Sequence, residues 1–386
     1  MKPAALITIV AIALSAAGAG AAERFRPAAP DFVVLQVPAR AGQDPIFRLE
    51  QEVMRAPANQ GAAANLAALY VERARSRREP RYFGRAEQVL QTWIARPEAS
   101  AATLRVQADI LQNRHDFASA IGLLDKATAL DPRDANARLM RASIRMVQGR
   151  ALDARSDCAA VLASGASAPG TVCFAQMLGA TGQLAQGERL LATLLDRGGA
   201  AEASAPVRGW ALWVMADFAD RRGDAAAAER LLRAALSATP ENEGVRSALV
   251  DAILARGAVR EALMLLDVPA PSVGVLARRA RAQELLRDDR LAATRAQVDE
   301  LLSLASRRGE RPHLREEALL ALDVEHDAPR ALELAKRNFE SQRETIDVRL
   351  LARAARANGD RAALTEVTRW LHETHFEDRA LAELRT

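Results

Sequence analysis

The sequence predicts an all-α fold, built as a helical-repeat solenoid, and three observations predict it. Short alanine-rich patterns with helical spacing recur from about residue 45 almost to the C-terminus. Turn residues divide them at a nearly constant step: His115 to Gly149 is 34 residues, Gly182 follows 33 later, and Gly223 to Gly257 is 34 again. A step of that length marks helix pairs that bury their apolar faces against their neighbours alone. Of the 386 residues, 49% are apolar yet only 4% are aromatic. Much of the apolar content is alanine, the strongest helix former, which disfavours an aromatic-rich β-sandwich or barrel.

The elements follow in order. Residues 1–22 read as a secretory signal peptide. Lys2 supplies the positive start, and Ala4 to Leu14 form the apolar core with Leu6, Ile7, Ile9, Val10 and Ile12. Small residues from Ala16 to Ala22 offer cleavage sites such as Ala17-Gly18-Ala19 and Ala19-Gly20-Ala21. The alternative is an uncleaved anchor, but the core is shorter than the ~20 residues a spanning helix needs. No cysteine lies near the cleavage region to carry a lipid, and no later stretch is long and uncharged enough to span a bilayer. The mature chain is therefore expected to be soluble and exported, periplasmic or secreted, with no stable membrane insertion after cleavage.

Residues 23–45 form an irregular lead with Pro27, Pro30, Pro38 and the apolar run Phe32-Val33-Val34-Leu35. The solenoid occupies 46–386. It opens with a capping helix over 46–56, ended by Pro57. Helix pairs are expected at about 62–95, 101–130, 135–164, 169–196, 207–238, 241–267, 272–306, 312–340 and 344–373, and a closing helix at about 376–385. An insertion from Arg75 to Arg81 lengthens the first connection, and a polar loop, Arg197 to Pro206, interrupts the series.

The clearest unit runs from Leu104 to Pro132. Leu104, Ala108 and Leu111 share one helix face; Ala120, Leu124 and Ala127 share the face of the next; Pro132 ends the unit. This resembles the tetratricopeptide repeat, with small residues at positions eight and twenty, larger apolar ones at eleven and twenty-four, and proline at thirty-two. Position fifteen, usually glycine, is His115. Ala142, Gly149, Ala154 and Cys158 fit the next unit, Ala216, Gly223, Ala228, Leu232, Ala235 and Pro240 a later one, and Val250, Ile253, Gly257, Ala262 and Leu266 the one after. Near the end Ala352, Ala355 and Gly359 match, with Leu364 in place of the small residue at position twenty. The units at 272–306 and 312–340 are degenerate. The resemblance covers 62–373 and implies a right-handed α-α superhelix of about nine pairs, in the manner of exported bacterial proteins of this kind. Alpha-alpha repeats of the Sel1 kind are the alternative.

Export bears on the two cysteines, Cys158 and Cys173. In an oxidising compartment they are a candidate disulfide, since a repeat fold brings their segments together. The alternative is two small buried thiols in tight helix contacts. Two cysteines cannot make a four-ligand zinc site.

Net charge is +4, from 53 Lys and Arg against 49 Asp and Glu. A nucleic-acid groove wants segregated charge and stacking aromatics. Neither is evident, so no nucleic-acid partner is expected. No phosphate-binding loop, dinucleotide motif or nucleophile elbow appears, and neither catalytic residues nor a cofactor are expected. The best metal-like cluster is His372-Glu373-Thr374-His375 with Glu377 and Asp378. Its histidines are three apart, whereas the zincin motif needs four. Polar residues capping the solenoid's end are the plainer reading; a metal or enzyme site at His372 and His375 is the alternative. His115, His313 and His326 fall in inter-helix turns.

The resemblance also implies a binding face. In such solenoids positions two, five, nine, twelve and thirteen of each first helix line a concave groove that takes another protein or peptide. Carried onto this chain they are Arg105, Asp109, Gln112 and Asn113; Asn136, Leu139, Ser143 and Met146; Trp210, Trp213, Asp217 and Asp220; and Ile346, Arg349, Arg353 and Arg356. Trp210 and Trp213 offer large apolar area of the kind favoured at hot spots, or else pack on a neighbouring repeat. Arg349, Arg353 and Arg356 form a stripe suited to a carboxylate terminus or acidic peptide, or else an ordinary face paired with nearby acids. The expected role is a scaffold or adaptor in envelope assembly or in the maturation of another exported protein. Intact mass of the mature chain should lack residues 1 to about 22; a chain that keeps them is a tethered protein instead.

Overall fold

A computed structural model of the chain describes residues 44–77, 79–196, 203–310 and 313–384. The signal segment, nearly all of the lead, and much of the loop expected at Arg197 to Pro206 lie outside the described residues. Helix α1, Pro45–Arg55, stands alone at the start. Among the described residues nine antiparallel pairs follow: α2 Gln60–Arg77 with α3 Arg81–Ile94, α4 Ala101–Asn113 with α5 Phe117–Leu130, α6 Ala135–Val147 with α7 Arg155–Ala163, and α8 Ser167–Gly179 with α9 Leu184–Asp196. The series continues with α10 Ala205–Arg221 and α11 Ala225–Ala238, α12 Glu243–Ala255 and α13 Val259–Leu266, and α14 Val273–Leu286 and α15 Leu291–Arg307. It ends with α16 Leu314–Asp323 and α17 Ala328–Phe339, then α18 Thr345–Asn358 and α19 Arg361–Thr374. No strand occurs among the described residues.

Local chemistry sets the helix starts. The side chains of Asp44, Ser100, Asp134, Asp224, Asn242, Ser272, Asp327 and Asp360 each accept a backbone N–H from the first turn. Each satisfies a donor that would otherwise lack an intrahelical partner. Packing then follows the repeat logic. Each first helix contacts its own partner, and most also touch the first helix of the next pair. The core is a string of neighbouring clusters, from Leu66, Tyr70 and Leu90 at the start to Leu351, Val367 and Leu371 at the end. This is the tetratricopeptide-like architecture that the sequence resembles.

The small positions are where the helices meet most closely. Ala108, Ala120, Ala142, Ala154 and Ala262 are wholly buried. Gly187 extends the pattern to the fourth pair, because a Cβ there would lie 2.6 Å from the Ala175 carbonyl oxygen. In the last pair the buried small residue is Ala363, one position before the half-buried Leu364. The closing helix expected at 376–385 is instead a short 3-10 segment, Arg379–Leu384. His375 takes a left-handed conformation that ends α19, and the chain turns before Asp378 accepts the Ala380 N–H.

The turns between the helices of a pair are not equivalent. Gly149, Gly182, Gly223, Gly257 and Gly359 all have positive φ, which glycine adopts without a Cβ penalty. Around Gly257 and Gly359 the space is open. A Cβ on Gly149 would meet Arg343 at 2.9 Å and Trp370 at 3.1 Å, one on Gly182 would meet His375 at 2.6 Å, and one on Gly223 would meet Arg379 at 2.8 Å. Three successive turns therefore press against the C-terminal pair and the segment that follows it. The backbone joins the two directly, with Arg343 N donating to Val147 O at 2.7 Å. Gly257→Ala should cost about 1 kcal/mol, the price of a left-handed alanine. Gly149→Ala should cost roughly 2–4 kcal/mol, with overpacking added. Urea unfolding of the two variants checks the order; equal losses would remove the seam from the account.

Candidate functional site

The expected groove residues fall into three settings. The first is a polar strip on α4. Arg105 Nε donates to Asp134 Oδ2 at 2.9 Å, linking the second pair to the third. Arg75 bonds Asp109 and reaches Asn113 Oδ1 at 3.3 Å, linking the first pair to the second. Asn113 Nδ2 also donates to the Asp109 carbonyl at 2.6 Å. Arg105, Asp109, Gln112 and Asn113 are half-buried, so their orientations are held while one side remains open. On α6, Asn136 is exposed, Leu139 and Ser143 are half-buried, and Met146 belongs to the core rather than to a groove.

The second setting is apolar. Trp210 and Trp213 are half-buried on α10 but diverge. Trp210 packs with the clusters of the third to fifth pairs. Trp213 packs with the cluster beyond, where its ring fills the space that a side chain at Gly244 would need. Each ring spends area on a neighbouring repeat.

The third setting lies where the solenoid's end reaches its middle. There Asp217 and Arg349, both half-buried, meet partners remote in sequence. Thr345 Oγ1 donates to Asp217 Oδ1 at 2.7 Å, and Arg349 bonds Asp220. Arg349 also grips Asp378, with Nε to Oδ2 at 2.8 Å and Nη2 to Oδ1 at 3.0 Å. Burial opposes the Arg349 charge, but its bonds to Asp378 and the nearby Asp220 outweigh it and raise the guanidinium pKa. The rest of the stripe is neutralised within the chain, Arg353 by Asp323 and Arg356 by Glu383.

Sequence reasoning missed several buried charges. Arg221 is nearly inaccessible. It donates to Gly179 O at 2.6 Å and Glu377 O at 2.8 Å, and lies 3.8 Å from the Phe376 ring centroid. It is a cation held mainly by carbonyls and a ring face, worth more once desolvated. Arg315 forms a bidentate pair with the buried Asp347, at 2.6 and 2.7 Å, while Asn338 donates to the same carboxylate at 2.7 Å. The fully buried Asp157 takes bonds from Arg138, Arg141 and Arg145 at 2.6–3.2 Å. Only Asp157 left a trace in the sequence: its arginines are three and four apart on one face of α6. Beside it, Cys158 and Cys173 are bonded to each other, joining α7 to α8 with Cα atoms 5.4 Å apart.

His372 and His375 do not converge on a site. His375 ends α19 and packs against Gly182, and no group of three metal-ligating side chains occurs among the described residues. Nor is any described helix long and apolar enough to cross a membrane.

No protein-family model and no curated protein sequence matches the chain. Among solved structures it is similar to pilF of Pseudomonas aeruginosa, at 16% identity and TM-score 0.37, over 55% of this chain and 97% of that one. It is also similar to a tetratricopeptide repeat protein of Parabacteroides merdae, at 13% identity and TM-score 0.37, over 80% and 98%. Human IFIT1, solved as a dimer with PPP-AAAA, matches at 14% identity and TM-score 0.44, over 86% and 88%. Likeness this loose carries no functional argument.

Replacing Asp157 with Ala should cost about 3–5 kcal/mol, because three guanidiniums would be left together around a buried gap. Chemical denaturation measures it; a loss below about 1 kcal/mol would mean that solvent already screens the cluster.

Proposed function

We propose that the protein is an exported scaffold or adaptor that binds another protein or peptide through the first-helix face of its N-terminal pairs. The observation that carries this is the strip Arg105, Asp109 and Asn113. These side chains bridge three consecutive pairs, and their hydrogen bonds hold them in place with one side open. Groups fixed before contact lose little entropy on binding. A row of first helices suits an extended or helical segment better than a small metabolite. The exposed sides of Trp210 and Trp213 extend the same face.

The arginines support a protein partner over a nucleic acid. Arg349, Arg353 and Arg356 each meet an acid of the same chain, as in the alternative of an ordinary paired face. No unbroken basic track is left there for a phosphate backbone. Export is supported by the leader at 1–22 and by the Cys158–Cys173 bond, which suits an oxidising compartment.

Capture from the native envelope tests the reading, with the intact chain compared against Arg105→Ala plus Asn113→Ala and against Arg353→Ala plus Arg356→Ala. The strip variant should recover its partner about tenfold less well, the effect of roughly 1.4 kcal/mol, and the second variant should behave as the intact chain. Equal recovery by all three would place the binding face elsewhere. Recovery of nucleic acid in place of protein would replace the reading.

A further inference from the structure

The seam between the two halves has a second feature. His115, in the turn of the second pair, meets His313 at the start of α16, their ring centroids 6.0 Å apart and edge to face. His375 lies on the same seam, against Gly182. Three of the chain's five histidines thus stand where its ends meet. We propose that the His115–His313 contact is an acid-sensitive latch, which holds the C-terminal pairs on the turn edge while the His115 ring is neutral and releases them when that ring is protonated.

The argument begins with geometry. His115 holds a left-handed turn, φ 59°, and also packs edge-on against Phe117, 5.6 Å between centroids. Its Nδ1 is sealed from solvent and has no hydrogen-bond partner among the described residues. A neutral imidazole tolerates that, because one ring nitrogen carries no proton. An imidazolium donates from both nitrogens, so protonation would bury a donor without an acceptor.

The charged surroundings work in both directions. His313, Arg315 and Glu316 of α16 and Asp347 of α18 all act on His115. Burial is the largest influence and lowers its pKa; Glu316 and Asp347 oppose this, His313 and Arg315 add to it, and the net direction is down. Asp347 opposes weakly because Arg315 and Asn338 already occupy it. A histidine depressed in the closed form favours closure above its ordinary range of about 6.5. That contribution fades as pH falls through this range toward the depressed value. Glu317, on the same helix, has the opposite sign. Burial raises its pKa, so its protonation at low pH would strengthen the packing of α16 rather than loosen it. The direction of the response therefore identifies the group responsible.

Hydrogen exchange on the full-length mature chain, from about pH 7.5 to about pH 5 and corrected for intrinsic rates, reads the latch across the imidazole range. Amides of 343–349 and 375–381 should lose protection on acidification, while those of α14, away from the seam, keep theirs. His115→Asn with His313→Gln should abolish the pH response, asparagine being chosen because it tolerates the left-handed turn. Seam protection that is unchanged or increased in the natural chain overturns the latch. So does a loss of equal size in the double variant. Should that variant not fold, His313→Gln alone carries the comparison, since His313 has an ordinary φ of −81°.

Discussion

A helix pair of about thirty residues cannot bury its apolar face alone, and the rest of this structure depends on that constraint. Burial has to come from the next pair, so the helices must approach closely, and close approach needs small side chains at the crossing points. Ala108, Ala120, Ala142, Ala154 and Ala262 meet that need. Gly187 meets it where even a methyl group would strike the facing carbonyl. The alanine-rich composition is the chemical trace of this requirement.

Stacking by itself would leave an open spiral. Here the spiral meets itself. The turn edge of the second to fifth pairs bears on the last two pairs and the chain's final turn, through Arg343 on Val147, Arg349 on Asp220 and Arg221 on Glu377. Local contacts make the pairs and their successive rotations, and contacts remote in sequence fasten the curl that results. The remote set is rich in charge, with Arg221 and Arg349 at its centre, while the local set is mainly apolar but holds the Asp157 and Asp347 clusters. Breaking a buried charge pair costs more than trimming an apolar contact of similar size, because the partner is left uncompensated. The seam is thereby strong while its partners match and sensitive to any change in their charge.

The same closure decides what the inner face can offer. Across the closure Asp220 meets Arg349, while Asp378, Asp323 and Glu383 on adjacent segments match Arg349, Arg353 and Arg356. The α4 strip lies on the other limb of the curl. There hydrogen bonds to adjacent repeats orient the polar groups without covering them.

By itself the sequence determined the helix pairs, their number and their small-residue crossings, because each depends on a period and on residues close along the chain. It also marked Cys158 and Cys173 as a possible bond, their segments being neighbours in any such repeat. Its resemblance to the tetratricopeptide repeat singled out Arg105, Asp109 and Asn113 as groove positions of α4. Tertiary structure decided the rest. That Arg349 would meet Asp220, that Arg221 would be buried against Phe376, and that Gly149 had to lack a side chain for Trp370 as well as for its turn all follow from the spiral's curvature. Curvature accumulates from small rotations between successive pairs. No single residue encodes it, so residues far apart along the chain become neighbours without any mark in their local pattern.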